Sequence, residues 1–284
     1  MALIKNNLLF LFFIGAIISS FAQDNPEKSI AETTKTEIKV GAKVGYSLGN
    51  LTSRTENVYT EDYESVSGID FGLTFEFKLT ELISMQTELN YTQRGGLRNG
   101  LQPVTGNELS EQLNMFFPFV GLPAITNENP LYASFDSESD LQYLEVPALV
   151  KFSWGDNLRF SAAIGPYVGI LLKATQITSG TSQFFLDSEG TNPVFVPGPD
   201  GQPPYTTLPA QSLEAKTNIK DDLKTVNFGG TFAIGISKKL SDTGELFFDA
   251  RASYGFNSIQ IKDEYGESNI GGVILSLGYA HTLQ

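Results

Sequence analysis

Segments in which apolar and polar residues alternate constrain this sequence more than any other feature. In the clearest segment, residues 69–79, every odd position is a large apolar residue, and the even positions are Asp, Gly, Thr, Glu and Lys. A period of two is the signature of a β-strand whose faces meet different surroundings. Seven further segments alternate in the same way, each about as long as a tilted membrane-crossing strand.

The connections between these segments alternate between short and long. The predicted strands are residues 37–49, 68–79, 83–94, 142–154, 158–173, 225–238, 245–257 and 271–283. Tight turns join strands two to three, four to five and six to seven, and the long connections are 50–67, 95–141, 174–224 and 258–270. Outer-membrane barrels have an even number of antiparallel strands, short periplasmic turns and longer extracellular loops. The sequence therefore predicts an all-β fold, an eight-stranded antiparallel transmembrane β-barrel.

A soluble barrel of lipocalin type, with its apolar face inward, is the competing architecture. It would put strand glycines on the solvent side, where they weaken strands, whereas in a narrow lumen they leave room for larger neighbours. These are Gly41, Gly45, Gly72, Gly165, Gly169, Gly229 and Gly235. Aromatic residues near strand ends also fit the girdles of a membrane barrel, namely Tyr46, Tyr91, Trp154, Tyr254 and Tyr279. Both features favour lipid on the outside.

The first residues predict export. Lys5 precedes an apolar run over residues 8–18, and small residues precede Gln23. This pattern is typical of a secretory signal peptide, and the run is too short to span a membrane. We therefore expect a signal peptide over 1–22, a flexible periplasmic leader over 23–36 and the barrel domain over 37–284, located in the cell outer membrane.

The charge and the cysteine content exclude several function classes. The net charge is −13, and the four long connections carry all of it. Nucleic-acid binding needs clustered Lys and Arg, so we expect no nucleic-acid partner. The chain has no cysteine, which excludes disulfides, a thiol nucleophile and thiolate metal sites.

The polar strand face predicts a charged lumen. The inward positions are Lys39, Lys43, Asp70, Glu76, Lys78, Glu88, Glu145, Lys151, Arg159, Lys173, Asp249 and Arg251. An eight-stranded barrel is just wide enough for side chains to fill it, so these charges must pair. We expect a structural network of ion pairs in which Glu88 and Arg251 matter most. A narrow ion or proton path is the alternative.

An inventory of reactive residues predicts no enzyme, no cofactor and no metal site. The only histidine, His281, falls on the outward face near the end of the last strand, where it cannot serve as a catalytic base in the lumen. The acidic pairs at 61–62, 221–222 and 263–264 lack the fixed ligand spacing of a Ca²⁺ loop. Residues 198–201, Gly-Pro-Asp-Gly, form a turn rather than a phosphate-binding loop.

Two of the long connections are the best places for a specific function. Residues 115–122 are strongly apolar, with Phe116, Phe117 and Phe119 as candidate contact residues. Such a segment either packs on itself as a cap over the barrel or contacts a partner. Residues 193–209 are rich in proline and predict an irregular surface segment.

The strands also resemble a known family. The matching segments are VGAKVGYSL at 40–48, QTELNYTQRG at 86–95, YLEVP at 143–147, GPYVG at 165–169 and DAR at 249–251. They are similar to the PorT-like outer-membrane β-barrel proteins of Bacteroidota, some of which take part in protein secretion. The resemblance covers the barrel and not the long loops, so it implies fold and location more than activity.

Two prolines within the predicted strands carry a structural expectation. Proline removes a ladder donor and a closed barrel has no edge, so we expect a bulge or a strand end at Pro147 and at Pro166.

Together these observations predict a non-enzymatic structural or interaction protein of the cell envelope with a side-chain-plugged lumen. It would contact outer-membrane lipid and envelope proteins. A narrow channel for small solutes or ions, or an accessory component of protein secretion, is the alternative.

Overall fold

Eight antiparallel strands form a closed ring. The structure, a computed structural model, describes residues 37–54, 58–59, 62–105, 108–196, 206–262 and 266–283. In chain order the barrel strands are β1 Ile38–Ser53, β2 Val66–Lys78, β3 Ile83–Arg98, β4 Asp136–Trp154, β5 Leu158–Ser179, β6 Val226–Lys239, β7 Gly244–Gly255 and β8 Ser268–Leu283. Each strand pairs with its neighbours in the chain, and β1 pairs with β8 from Ile38↔Leu283 to Ser53↔Ser268 to close the ring. The predicted fold class is confirmed.

The alternating pattern separates two faces as predicted. Apolar outward side chains are exposed on every strand, for example Val44 at 64% and Ile164 at 58%. Inward positions on the same strands are buried, including Lys43 and Ala163. A barrel whose outer surface is apolar is built for lipid, since lipid tails accept apolar surface that water does not. The barrel is therefore a transmembrane barrel.

Short turns join the strands at one end. In the turn after β2, the side-chain oxygen of Thr80 accepts hydrogen bonds from the amides of Leu82 and Ile83 at 3.2 and 2.9 Å. In the turn after β4, Gly155 adopts a φ of 97°, which glycine tolerates far better than other residues. The turn after β6 is closed by Leu240, whose amide donates to the carbonyl of Gly244 at 2.8 Å. These turns form the periplasmic end of the barrel.

The strands run further toward the long loops than the sequence predicted. β4 and β5 have 19 and 22 residues, whereas about 9–11 residues cross a membrane. A short strand, Ala215–Asn218, adds to the upper part of β5. These extensions lie beyond the lipid, where no apolar face is needed, so alternation of apolar and polar residues could not reveal them.

One β-bulge corrects the predicted orientation of Lys173. In the β4–β5 ladder, Gln142 pairs with Lys173 but Tyr143 pairs with Leu171, so Leu172 is an extra residue. Leu172 and Lys173 are consequently both exposed on the outer surface. Lys173 was expected in the lumen, and that prediction is wrong because a one-residue insertion reverses the faces of a strand.

The expectation of a bulge or a strand end at each proline is also wrong. Both strands continue through Pro147 and Pro166 without a change of register. Within the described ladders, residues 146–147 make no pair with 88–89, and residues 148–149 make none with 165–166. The barrel thus loses a few ladder pairs locally, and the hydroxyl of Thr87 donates to the carbonyl of Pro147 at 3.0 Å. The missing proline N–H groups therefore coincide with lost ladder pairs, and the register of both strands is unchanged.

The second and third long connections fold together as one extracellular loop unit. It contains helix α1 Glu108–Phe116, the 3₁₀ helix Phe117–Val120, and a three-stranded sheet of Leu101–Val104, Leu131–Ser134 and Phe184–Phe185. Two-stranded pairings join Thr181–Ser182 to Gln211–Ser212, and Phe195–Val196 to Thr206–Thr207. Among the described residues, no helix combines the length and apolar character needed to cross a membrane.

The signal peptide and the leader predicted over 1–36 lie outside the described residues, as do residues 61, 198–201 and 263–264.

Candidate functional site

A buried carboxylate, Glu88, is the centre of the lumen. Arg251 donates to both of its oxygens, from Nη1 at 2.7 Å and from Nη2 at 2.6 Å. Lys43 Nζ donates at 2.8 Å, and the amides of Gln86 and Asn90 donate at 2.5 and 2.8 Å. The Glu88 side chain is fully buried. Its charge is therefore balanced by two cations and its lone pairs are filled, which is what a buried ion needs to be tolerated.

A second pair lies nearer the extracellular end. Arg94 Nη2 donates to Glu145 Oε2 at 2.9 Å, and both residues are buried. The guanidinium carbon of Arg94 also lies 5.8 Å from the ring centre of Tyr167, a cation–π distance. Tyr167 in turn donates to Asn227 at 2.8 Å. Beside this pair, the hydroxyl of Thr92 donates to Asp70.

Ion pairs at the turn end of the lumen are partly exposed. Lys151 pairs with Glu76 at 2.8 Å, and Lys39 pairs with Glu245 at 2.7 Å. Lys78 lies at the edge of the barrel's turn end, where it pairs with Glu37 at 3.2 Å and Glu81 at 3.1 Å. Arg159 and Asp249 are half-buried, and neither forms an ion pair with a described residue.

The structure thus brings nine of the predicted lumen residues inside the barrel, and places Lys78 at the edge of the turn end and Arg159 at the turn end.

A cavity at the turn end lies between the Lys151–Glu76 and Lys39–Glu245 ion pairs. Lys39, Glu76, Gln86, Lys151, Glu245 and Asp249 contribute to its lining. Arg251 also lines the cavity, so the Glu88–Arg251 pair forms its extracellular side.

An apolar plug fills the extracellular end of the lumen. Its buried members, which we call the mouth plug, are Leu51, Leu141, Tyr143, Leu171, Ala174, Leu223, Ile259 and Ile270. Tyr63 and Ile219 pack against them. Because these residues come from strand ends and from the loops that follow β1, β5 and β7, the loops themselves close the barrel.

The extracellular loop unit has its own hydrophobic core. The core residues are Leu113, Phe117, Ile125, Leu131, Ala133, Phe184 and Val194. Phe117 is 1% exposed and Phe116 is half-buried against this core, whereas Phe119 is 85% exposed and Met115 70%. Of the three phenylalanines predicted as contact residues, Phe117 is therefore unavailable to a partner, and Phe119 is fully available.

Hydrogen bonds and burial shift two pKa values in the extracellular loops. The amide and hydroxyl of Thr191 donate to Asp187, and these bonds hold the pKa of that carboxyl below its usual range. Burial raises the pKa of Tyr63, and the guanidinium of Arg98 opposes that shift. Both groups keep their usual ionisation state near neutral pH, so neither is a proton donor or acceptor poised for catalysis.

The described residues contain no group of three or more His, Cys, Asp or Glu side chains arranged to hold a metal ion. His281 is exposed on the outer face of β8, opposite Val40 and Gly244. It is therefore separated from the lumen carboxylates by the barrel wall.

Sequence reasoning missed three residues of the ion-pair network in the barrel. Arg94 continues the alternation of Glu88, Asn90 and Thr92, and extending that pattern by one step would have placed it inside. Glu37 and Glu245 lie at the first positions of their predicted strands. Their roles could not be found from alternation alone, because a strand end has no following residue to fix its face.

Comparison with known proteins identifies the kind of barrel. A family model described as "Outer membrane protein beta-barrel domain" matches residues 21–260. No curated protein matches the chain. Among solved structures, Ail, the attachment invasion locus protein of Yersinia pestis, is 11% identical with a TM-score of 0.34, over 85% of this chain and 97% of that one.

Two further solved structures are similarly remote. OprG from Pseudomonas aeruginosa is 8% identical with a TM-score of 0.37, over 88% of this chain and 95% of that one. The outer membrane protease OmpT from Escherichia coli is 8% identical with a TM-score of 0.40, over 90% and 99%. Likeness at this level carries no information about activity.

Proposed function

Since this chain belongs to the outer membrane protein β-barrel domain family, we propose that it acts as a closed, non-enzymatic barrel that presents a folded extracellular unit to envelope partners. The observation that carries this proposal is the double closure of the lumen. The mouth plug fills one level and the Glu88–Arg251–Lys43 cluster fills the next. A barrel filled in this way serves as a scaffold, and its specificity resides in its loops.

Exposed apolar side chains mark the part of the loop unit that would meet a partner. Met115 and Phe119 project from a unit whose other large apolar residues are mostly packed. Exposed apolar groups on an otherwise folded surface are typical of interaction sites. The acidic long connections favour a partner surface that carries positive charge.

Planar-bilayer recording tests the closed lumen. We expect the purified full-length protein to insert without stable unitary currents, since both layers exclude water. Steady unitary currents from the unaltered protein would overturn this part of the proposal and favour the alternative of a narrow channel.

Site-specific photo-crosslinking in cells tests the contact. A photoreactive residue at position 119 should crosslink to one defined envelope protein, and the same residue at position 117, which is buried, should not. Equal crosslinking at both positions would contradict a specific contact at Phe119. Lipid hydrolysis by the purified protein would contradict the non-enzymatic assignment.

The finer assignments are part of the same proposal. The segments at 86–95 and 143–147 support membership of the PorT-like group, and with it an accessory role in secretion. The apolar run over 8–18 supports export through a signal peptide cleaved after Ala22. Sequencing of the mature amino terminus tests the last point, and a mature protein that begins at Met1 would contradict it.

A further inference from the structure

The β5 bulge places a lysine on the outer surface of the barrel, just above the lipid-facing band. Leu172 is the extra residue, and it is 42% exposed. Lys173 follows it and is also exposed. Below them on the same surface, Ile170 and Val226 are 45% and 52% exposed and pair with each other. The bulge therefore sets a cation at the edge of an apolar surface.

Two further lysines converge on this point. Lys220 Nζ donates to the carbonyl of Leu172 at 3.0 Å, which holds its ammonium group beside Lys173. The amide of Leu171 donates to the carbonyl of Thr225 at 2.8 Å, which brings the adjacent Lys224 to the same level of the wall. Lys224 is exposed, while its neighbour Leu223 is buried in the mouth plug. We call Lys173, Lys220 and Lys224 the rim lysines.

The rim lysines have no ion-pair partner in the part of the chain that the structure describes. This is so although Asp221 and Asp222 lie in the same turn as Lys220. Elsewhere on the loop side Arg54 has a carboxylate partner, Glu267, at 3.6 Å. Three unpaired cations in one place are unusual in loops whose net charge is negative, since like charges repel each other.

We propose that the rim lysines bind the phosphate groups of a phosphorylated lipid in the outer leaflet of the outer membrane, of the lipid A type. The position fits such a lipid because its acyl chains would lie along Ile170, Leu172 and Val226 while its phosphate meets the ammonium groups. Lysine side chains at a membrane boundary extend toward the headgroups, and anionic headgroups attract them. The inference rests on the membrane location and does not depend on a closed lumen.

Native mass spectrometry of the detergent-solubilised full chain with purified lipid A tests the proposal. We expect a lipid adduct on the unaltered protein, and a roughly thirtyfold weaker adduct on the variant Lys173→Gln/Lys224→Gln, since each lysine near an anionic headgroup strengthens binding about fivefold. Lipid A from which the phosphate groups have been removed should bind as weakly to the unaltered protein as lipid A does to the variant.

A matched variant keeps the result interpretable. Lys238→Gln/Lys239→Gln removes two exposed lysines at the opposite, turn end of the barrel and should retain the adduct. A heat-dependent gel shift would show that both variants fold. Equal adducts on both variants, undiminished binding of the dephosphorylated lipid, or complete displacement by equimolar inorganic phosphate would each overturn the proposal. Unitary currents from the protein would overturn the proposed closed lumen and leave this proposal standing.

Discussion

At the scale of single residues, Glu88 connects strands that are not neighbours. It lies on β3, and its partners Lys43 and Arg251 lie on β1 and β7. In the ring, β3 and β7 are separated by β8, β1 and β2. The ion pairs therefore cross the lumen, and they hold opposite walls at a fixed distance. This is a structural use of charge, and it explains why a lumen so rich in ionisable groups need not be catalytic.

We predict that Glu88→Gln destabilises the barrel. Glutamine keeps the size of the side chain but removes the charge, which leaves two buried cations without their counter-ion. The loss should be about 3–5 kcal/mol of unfolding free energy, the usual result when one partner of a buried pair is removed. Urea unfolding of the refolded protein in detergent micelles, followed by tryptophan fluorescence, measures the change.

Glu81→Gln is the matched control for Glu88→Gln. The Glu81 side chain is 94% exposed, and it pairs with Lys78 at the turn end of the barrel. Exposed pairs contribute little because water screens them, so we expect no measurable change in unfolding free energy. Equal destabilisation by both variants would show that Glu88 has no special role.

At the scale of elements, β5 shows how closely two neighbouring strands of the barrel approach each other. A β-carbon at Gly165 would lie 1.9 Å from the carbonyl oxygen of Ala148, and one at Gly169 would lie 3.4 Å from Tyr143. The first distance is far inside van der Waals contact and involves backbone, whereas the second is an ordinary contact. The close approach of β4 therefore requires glycine at position 165 but not at position 169.

We predict that Gly165→Ala destabilises the barrel and that Gly169→Ala does not. The new methyl group at position 165 would push β4 and β5 apart. We expect this overpacking to lower the unfolding free energy by about 1–3 kcal/mol. At 169 the methyl group fits and reduces the freedom of the unfolded chain. Midpoints of urea unfolding for the two variants measure the difference. Equal destabilisation by Gly165→Ala and Gly169→Ala would contradict the steric distinction between the two sites.

The loop unit should respond to substitution separately from the barrel. We predict that Phe117→Ala opens the loop unit, since Phe117 is 1% exposed in its core and such a truncation costs about 3–5 kcal/mol. Limited proteolysis should then cut within the loops while the barrel strands stay protected. Phe119→Ala, which alters an 85% exposed side chain, should leave the loops resistant. Cleavage of both variants at the same rate would contradict a packed loop core.

Alternation predicts the membrane-spanning part of each strand because lipid and lumen impose opposite demands on neighbouring residues. It predicts less where those demands end. Lys173 was assigned to the wrong face because a bulge has no signature in the polarity pattern, and Arg94 was missed because it lies where β3 leaves the lipid. The core around Phe117 depends on contacts between two distant connections, which no local pattern encodes.

At the scale of the whole molecule, the barrel has two seals of different chemistry. The mouth plug consists almost wholly of apolar residues, and the layer below it is formed by Glu88, Arg251 and Lys43. Leu141 and Leu171 of the plug are 0% and 1% exposed. If the lumen is closed as proposed, either layer alone should exclude ions, because a dry apolar constriction and a filled ion-pair layer both lack a continuous path of water. Loss of one seal should therefore be silent in a conductance measurement.

We predict that only a variant lacking both seals conducts. Leu141→Ala/Leu171→Ala thins the plug, and Glu88→Ala/Arg251→Ala removes the carboxylate and the guanidinium of the lower layer, so that Lys43 is the one charge of the three that stays there. Each double variant should stay without unitary currents in planar bilayers, and the fourfold variant should show them, provided that its heat-dependent gel shift confirms a folded barrel. Currents from the Glu88→Ala/Arg251→Ala variant would place the only effective seal at the ion-pair layer. Currents from the plug variant would place it at the loops, and a silent, folded fourfold variant would contradict the two-seal account.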